Sequence, residues 1–255
     1  FYAHSSAPHY FYDCTIDPLT GYLYTYGSDC VFEGCTFAAS EGKALQIYED
    51  AASGENTVTI TNCAFVAAKQ ATTWDGKPVT GIDINSNGAK FEVYINNCTT
   101  TGFPTGLNSN SNLWNVKDAG KAHVNVYVDG AQVWFAGYEY VADGLLYNGK
   151  EYVVISAKGL VALSAKTIKG GETVKLGADI DLTGHKWVPI GKFPSSLVPS
   201  QSTFMGNFDG NGYKISGLVI NSSGDYKGLF GNVGFMFTSH TICNVTITDG
   251  YINAG

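Results

Sequence analysis

Charge is scarce in this chain. Aspartate, glutamate, lysine and arginine together make up 15% of its 255 residues, and the formal net charge is −7. No cluster of lysine or arginine occurs, and a phosphate backbone is held through a basic stripe, so the sequence argues against a nucleic-acid partner. Long apolar runs are also missing: nothing approaches the roughly 20 residues that a membrane-crossing helix needs. The six cysteines contain no Cys-x-x-Cys pair and the five histidines no His-x-x-x-His. Without that close spacing a zinc site has no basis, and no metal or other cofactor is expected.

What the chain has in quantity is glycine, tyrosine and phenylalanine, at 31, 16 and 14 residues. With many valines, isoleucines and threonines, these favour short strands between tight turns. Six stretches can be superposed: Phe11-Tyr-Asp-Cys14-Thr-Ile16, Phe32-Glu-Gly-Cys35-Thr-Phe37, Ile60-Thr-Asn-Cys63-Ala-Phe65, Ile95-Asn-Asn-Cys98-Thr-Thr100, Ile215-Ser-Gly-Leu218-Val-Ile220 and Ile242-Cys-Asn-Val245-Thr-Ile247. Their third position is Asp13, Gly34, Asn62, Asn97, Gly217 or Asn244, residue types that enter a left-handed backbone at low steric cost. Each sextet therefore predicts a strand, a one-residue corner and a second strand, repeated at irregular intervals as in a solenoid.

The predicted fold is all-β: a right-handed parallel β-helix in two sections, the handedness following the general rule for parallel crossovers. Residues 1–135 form the first section, 136–155 a connector, and 156–255 the second, with a short capping helix near 156–166 and Ser156 as its N-cap. The start at Phe1-Tyr2-Ala3 reads as a piece cut from a longer protein. Cys14, Cys35, Cys63 and Cys98 share the column after the corner. Column neighbours lie roughly 4.8 Å apart in a parallel sheet, so these thiols read as small inward packing residues, a disulfide between adjacent rungs being allowed by distance but poorly aimed. Cys30 matches Val58 and Val93 and should also point inward, with His9 opposite it. Cys243 sits beside a corner, exposed or at an interface.

A second strand precedes each corner, at Gly21–Tyr26, Ala44–Tyr48, Gly81–Asn85 and Gly106–Asn110. Alternation places Tyr22, Tyr24, Tyr26, Gln46, Tyr48, Asp83, Asn85, Asn108 and Asn110 on its outer face, the candidate binding surface. Tyrosine supplies stiff contact area with a polar tip, as recognition surfaces use. A shift of one residue would instead turn Tyr22 and Tyr24 into the coil in place of Leu45 and Ile47. Asp83 has no basic residue among these outward positions and makes a poor catalytic centre. Asp179 and Asp181 share a strand face, and Asp209-Gly-Asn-Gly212 has too few oxygens for calcium and reads as a tight turn.

The segments Trp187-Val-Pro-Ile-Gly191, Phe204 to Leu218 and Gly228-Leu-Phe-Gly231 resemble, as a set, the glycine-rich GLUG repeats of large secreted or wall-anchored bacterial proteins, many from gut commensals. The resemblance covers roughly residues 152–255. It implies a parallel β-helix on a cell surface and names no ligand. Some surface proteins of this broad kind bind immunoglobulin variable domains as superantigens. The expectation is thus a non-catalytic, adhesin-like module, secreted or displayed on the bacterial surface, that binds a host macromolecule. Immunoglobulin is the specific version and a glycan its sibling. A β-helix polysaccharide lyase or glycosidase centred on Asp83 is the alternative, and a passive stalk the third reading.

Overall fold

The computed structural model describes residues 7–17, 23–25, 28–39, 44–49, 54–67, 79–192, 203–221, 223–234 and 239–253. They form two units, divided between Tyr138 and Glu139. Both are built mostly from short strands in parallel sheets.

In the first unit the chain visits three sheets in turn. The first holds the parallel strands His9–Tyr12, Cys30–Glu33, Glu55–Thr61, Lys90–Asn96 and Val124–Val128. The second holds Thr15–Ile16, Thr36–Ala39, Ala64–Ala67 and Thr99–Thr101. The third holds Leu23–Tyr24, Leu45–Glu49, Ile82–Ser86 and Trp114–Val116. Ala131–Trp134 closes the first sheet as an antiparallel strand after a turn at Asp129 and Gly130, both with positive φ.

Two residues join each first-sheet strand to its second-sheet strand, and the first of them is Asp13, Gly34, Asn62 or Asn97. All four are left-handed, with φ of 51°, 66°, 54° and 49°. They stack as a ladder in which Asn97 Nδ2 donates to Asn62 Oδ1 at 2.7 Å and Asn97 N–H to Asp129 Oδ1 at 2.7 Å. Asparagine and aspartate hold this backbone because their short polar side chains bond locally.

Register then makes each inward position a column. Cys30, Val58, Val93 and Val126 align, as do Phe32, Ile60 and Ile95, and all seven are buried. His9 pairs with Cys30 as its column position requires. In the second sheet Phe37 stacks on Phe65, ring centroids 4.6 Å apart. Burying each such side chain stabilises by roughly 1.5–3 kcal/mol, and this repetition of columns supplies the core.

All six cysteines are free. Cys35 N–H donates to Cys63 Sγ at 3.4 Å, and the Cys63 and Cys98 thiols also reach backbone carbonyls. Burial, then the charge of Asp29, pushes the Cys30 thiol up to about 12. A hydrogen bond between Cys63 and Cys98 raises the former and lowers the latter. Iodoacetamide at mildly alkaline pH, read by peptide mass spectrometry, is therefore expected to modify half-buried Cys98 ahead of buried Cys30 and Cys63. Equal rates at Cys30 and Cys98 would contradict this column.

In the second unit Glu139–Ala142, Leu145–Tyr147 and Glu151–Val154 pair antiparallel, and the sheet continues in parallel through Thr173–Leu176, Asn207–Asp209 and Ile242–Cys243. The stretch 136–155, read from sequence as a connector, thus carries three strands of this sheet. The helix Ala157–Ser164 follows, with Ser156 Oγ accepting from Gly159 N–H at 3.1 Å. It buries Leu160 and Leu163 against Leu145, Val154 and Leu176 in the core of this unit. Gly159 is required there because a Cβ would lie 1.9 Å from the Gly144 carbonyl oxygen.

Gly217 and Asn244 are left-handed as predicted but do not share a column. Ile215 pairs with Ile247, which sets Gly217 beside Asp249, and Phe208 pairs with Ile242, which sets Asn244 beside Gly210. Each pass here turns two similar corners, and the sextet marks both. The last pass is open: Ile242, Ile247 and Ile252 are 41%, 45% and 53% exposed, whereas their partners Phe208, Ile215 and Ile220 are buried.

Candidate binding face

The third sheet of the first unit is where the sequence places the binding surface. Its strands repeat an apolar–polar–apolar triplet, Leu45-Gln-Ile47, Ile82-Asp-Ile84 and Trp114-Asn-Val116. The register aligns Tyr24, Gln46, Asp83 and Asn115 in one column. Tyr24 thus takes the Gln46 position rather than that of Leu45 or Ile47. Only its backbone is described, and Tyr22 and Tyr26 lie outside the described residues.

Gln46, Asp83 and Asn115 alternate with the core residues as expected, yet all three are buried, Asp83 completely. Lys117 Nζ reaches Asp83 Oδ2 at 3.4 Å, supplying the cation that the sequence did not place there. Thr80 Oγ1 lies 3.3 Å from Asp83 Oδ1 and 2.7 Å from the Ile82 carbonyl. The segment before Trp114 folds back over Asn115. Asn108 N–H donates to Asn115 Oδ1 and Asn108 Nδ2 to the Val116 carbonyl, both at 2.8 Å.

Asn108 and Asn110 therefore do not belong to the strand predicted for Gly106–Asn110. Trp114–Val116 is that strand, Asn108 is a clamp on its outer side, and Asn110 is an exposed left-handed turn residue. Tyr48 and Asn85 pair in register and are half-buried. The predicted residues that are described do not form one open surface. Among the described residues, Gln46 and Asp83 with Asn115 form a covered polar layer in which Asp83 Oδ2 meets Lys117 and Asn115 Oδ1 accepts from Asn108, while Asn115 Nδ2 is buried without a hydrogen-bond partner.

A second tyrosine-bearing face lies on the first sheet, exposed at Tyr10 and Tyr12 and half-buried at Tyr94 and Tyr127. Register aligns Tyr10, Val31, Thr59, Tyr94 and Tyr127 on the side away from the core columns. Tyr10 and Tyr12 are 58% and 55% exposed. Tyr94 and Tyr127 stack with centroids 4.7 Å apart and planes at 13°. Beside them, Asn125 Nδ2 donates to Glu92 Oε1 at 2.7 Å and Gln132 Nε2 to Asn125 Oδ1 at 3.2 Å. Burial, then hydrogen bonding to Glu92, pushes Tyr127 up to about 12, so its phenol stays protonated. Five strands spaced roughly 4.8 Å apart make this face roughly 20 Å wide. The signal was present in the sequence: once Val58 and Val93 point inward, Thr57, Thr59, Glu92 and Tyr94 must point outward.

Asp179, Asp181 and Asp209 of the second unit bond to backbone and amide groups rather than to one another. Asp179 Oδ1 accepts from Lys214 N–H at 2.8 Å and Asp181 Oδ1 from Thr183 N–H at 2.9 Å. Asp209 Oδ1 accepts from Asn244 Nδ2 and Asn211 N–H, which hold its carboxyl below the usual range. Asn211 and Gly212 have positive φ, so Asp209–Gly212 is a tight turn.

Over 89 residues the chain is 37% identical to a protein of Evansella cellulosilytica that is provisionally named a Gly-rich membrane protein. The matched segment is 32% of this chain and spans 9% of that protein's length. No family model and no solved structure matches the chain. Among the described residues no helix is long and apolar enough to cross a membrane.

Proposed function

We propose that this chain is a non-catalytic bacterial cell-surface module that binds a host macromolecule through the outer face of its first sheet, immunoglobulin being the specific partner. On this reading the three sheets of the first unit coil as a right-handed parallel β-helix. The second unit continues the glycine-rich GLUG-type architecture that its motifs resemble. The observation that carries it is the tyrosine face: Tyr10, Tyr12, Tyr94 and Tyr127 on a stiff parallel sheet. Tyrosine is enriched where interfaces concentrate their binding energy, and a rigid sheet loses little entropy on docking. A face of this width suits a partner footprint of about 800 Å². The Gly-rich membrane protein of Evansella cellulosilytica is compatible with a location at the cell surface.

The polysaccharide-cleaving alternative gains one observation, the pairing of Asp83 with Lys117, an acid next to a cation. Against it, Asp83 is completely buried. A carboxylate so enclosed has no route to a polymeric substrate, which favours binding over cleavage.

Immobilised chain is expected to capture polyclonal immunoglobulin Fab in biolayer interferometry. Tyr94→Ala with Tyr127→Ala, and separately Tyr10→Ala with Tyr12→Ala, should weaken capture at least about tenfold, the scale of a lost hot spot. Undiminished capture by both double variants would refute the face. No capture from Fab, serum or mucin glycans would leave the passive stalk as the better reading.

A further inference from the structure

In the second unit the turn following Leu182 and the strand Val219–Asn221 border a half-open cavity of about 710 Å³. That size falls within the range of small-ligand sites. Leu182, Trp187 and Ile220 are buried beneath it, and Val188 and Val219 stand beside it 40% and 53% exposed. Trp187 is fixed in place, its Nε1–H donating to the Gly228 carbonyl at 3.0 Å. The indole nitrogen is thereby satisfied by the protein, so what Trp187 offers the cavity is apolar surface.

The charge around this apolar lining is of one sign. Lys186 and Lys227 line the cavity beside His185, and among the described residues no aspartate or glutamate does, although the chain as a whole carries −7. Among the described residues neither Lys186 nor Lys227 takes part in an ion pair. His185 has an acidic neighbour outside the lining, Asp181, whose carboxyl is held low first by Thr183 and in smaller part by His185. Among the described residues the two lysines are thus the charges without an ion-pair partner. Neutral hydrogen-bonding side chains are sparse: Asn221 is the one amide, and its Oδ1 accepts from Asn253 Nδ2 at 3.4 Å. A carbohydrate needs several such groups aimed at its hydroxyls. An apolar body needs none.

We infer that this cavity binds an amphiphilic anion, an apolar body seated on Trp187, Val188 and Val219 with a terminal carboxylate or sulfate held by Lys186 and Lys227. Apolar contact supplies the affinity, and the two ammonium groups select the charged end. This site is separate from the tyrosine face and stands or falls without it.

Calorimetric titration of the full chain with sodium laurate, below its micelle concentration, tests it. Saturable binding at one equivalent is expected, with none for acetate and much weaker binding for dodecanol. Lys186→Ala with Lys227→Ala should weaken laurate about tenfold or more, as loss of charge-assisted hydrogen bonds does. Val219→Asp, at a position 53% exposed, should abolish binding by placing a like charge on the apolar wall. Circular dichroism verifies that both variants fold. Absence of laurate binding, equal affinity for dodecanol, or binding unchanged in both variants would overturn the proposal. Binding to phosphatidylglycerol vesicles without binding to free laurate would overturn it in favour of a lipid surface.

Discussion

Lys117→Met is expected to lower the unfolding free energy of the first unit by about 3 kcal/mol, the scale on which removing one partner of a buried ion pair destabilises. Asp83 is completely buried, in a column where its neighbours Gln46 and Asn115 are uncharged. Lys117 is the cation facing it at 3.4 Å, its side chain 24% exposed. The methionine variant keeps the aliphatic stem and deletes the charge, leaving a carboxylate to be desolvated without that compensation. Partial solvation of Lys117 sets the expectation at the low end of the range. Asp83→Leu combined with Lys117→Met should be less destabilising than Lys117→Met alone, because replacing both partners removes the stranded charge as well as the bond. Denaturant melts of the four proteins in this double-mutant cycle measure the coupling directly. A Lys117→Met variant within about 1 kcal/mol of the parent would mean that other neighbours satisfy Asp83 and that the pair is incidental.

The same residues show where sequence reasoning reaches and where it stops. Corners at Asp13, Gly34, Asn62 and Asn97 were legible because a left-handed residue restricts side-chain chemistry, and that restriction is written in the sequence. The inward places of Cys30, Cys35 and Cys63 followed from register alone. Cover was not legible. Alternation says that Gln46 and Asp83 point away from the core, but whether solvent lies there depends on what folds over them. The insertion of 103–113 both displaced the strand to Trp114–Val116 and brought Asn108 onto Asn115. A triplet search would have found that strand, since Trp114-Asn-Val116 repeats the pattern of Ile82-Asp-Ile84, whereas Gly106–Asn110 merely alternates. Gly217 and Asn244 fail differently. One sextet marks two successive corners of a pass, and only the pairing of Ile215 with Ile247 tells them apart. The tyrosine face was hidden by choice of strand rather than by physics, because Tyr94 and Tyr127 occupy the complement of columns already assigned inward.

Phe65→Ala should cost about 4 kcal/mol, within the range for removing a buried phenylalanine when its surroundings cannot collapse. Phe65 is fully buried and its ring lies 4.6 Å from that of Phe37 with planes at 2°. Thr100 aligns with it on the next strand. Backbone closes the remaining side: a Cβ on Gly81 would lie 2.9 Å from Phe65 Cβ and 3.2 Å from the Leu113 carbonyl oxygen. Hydrogen-bonded strands fix both flanks of the column, so the space vacated by the ring stays open and the lost contacts are not replaced. Phe65→Leu refills most of that space and should cost under about 1.5 kcal/mol. A wide gap between the two variants in guanidinium melts is the signature of a rigid, ladder-held core. Similar losses for both would mean that the strands close in around the smaller side chain. The comparison also bears on the tyrosine face, because Tyr94 sits on the strand that turns at Asn97 into the strand of Thr100. In a rigid core, folded Phe65→Ala protein should retain the proposed immunoglobulin capture while its stability falls, whereas a core that collapses would shift that strand and weaken both together.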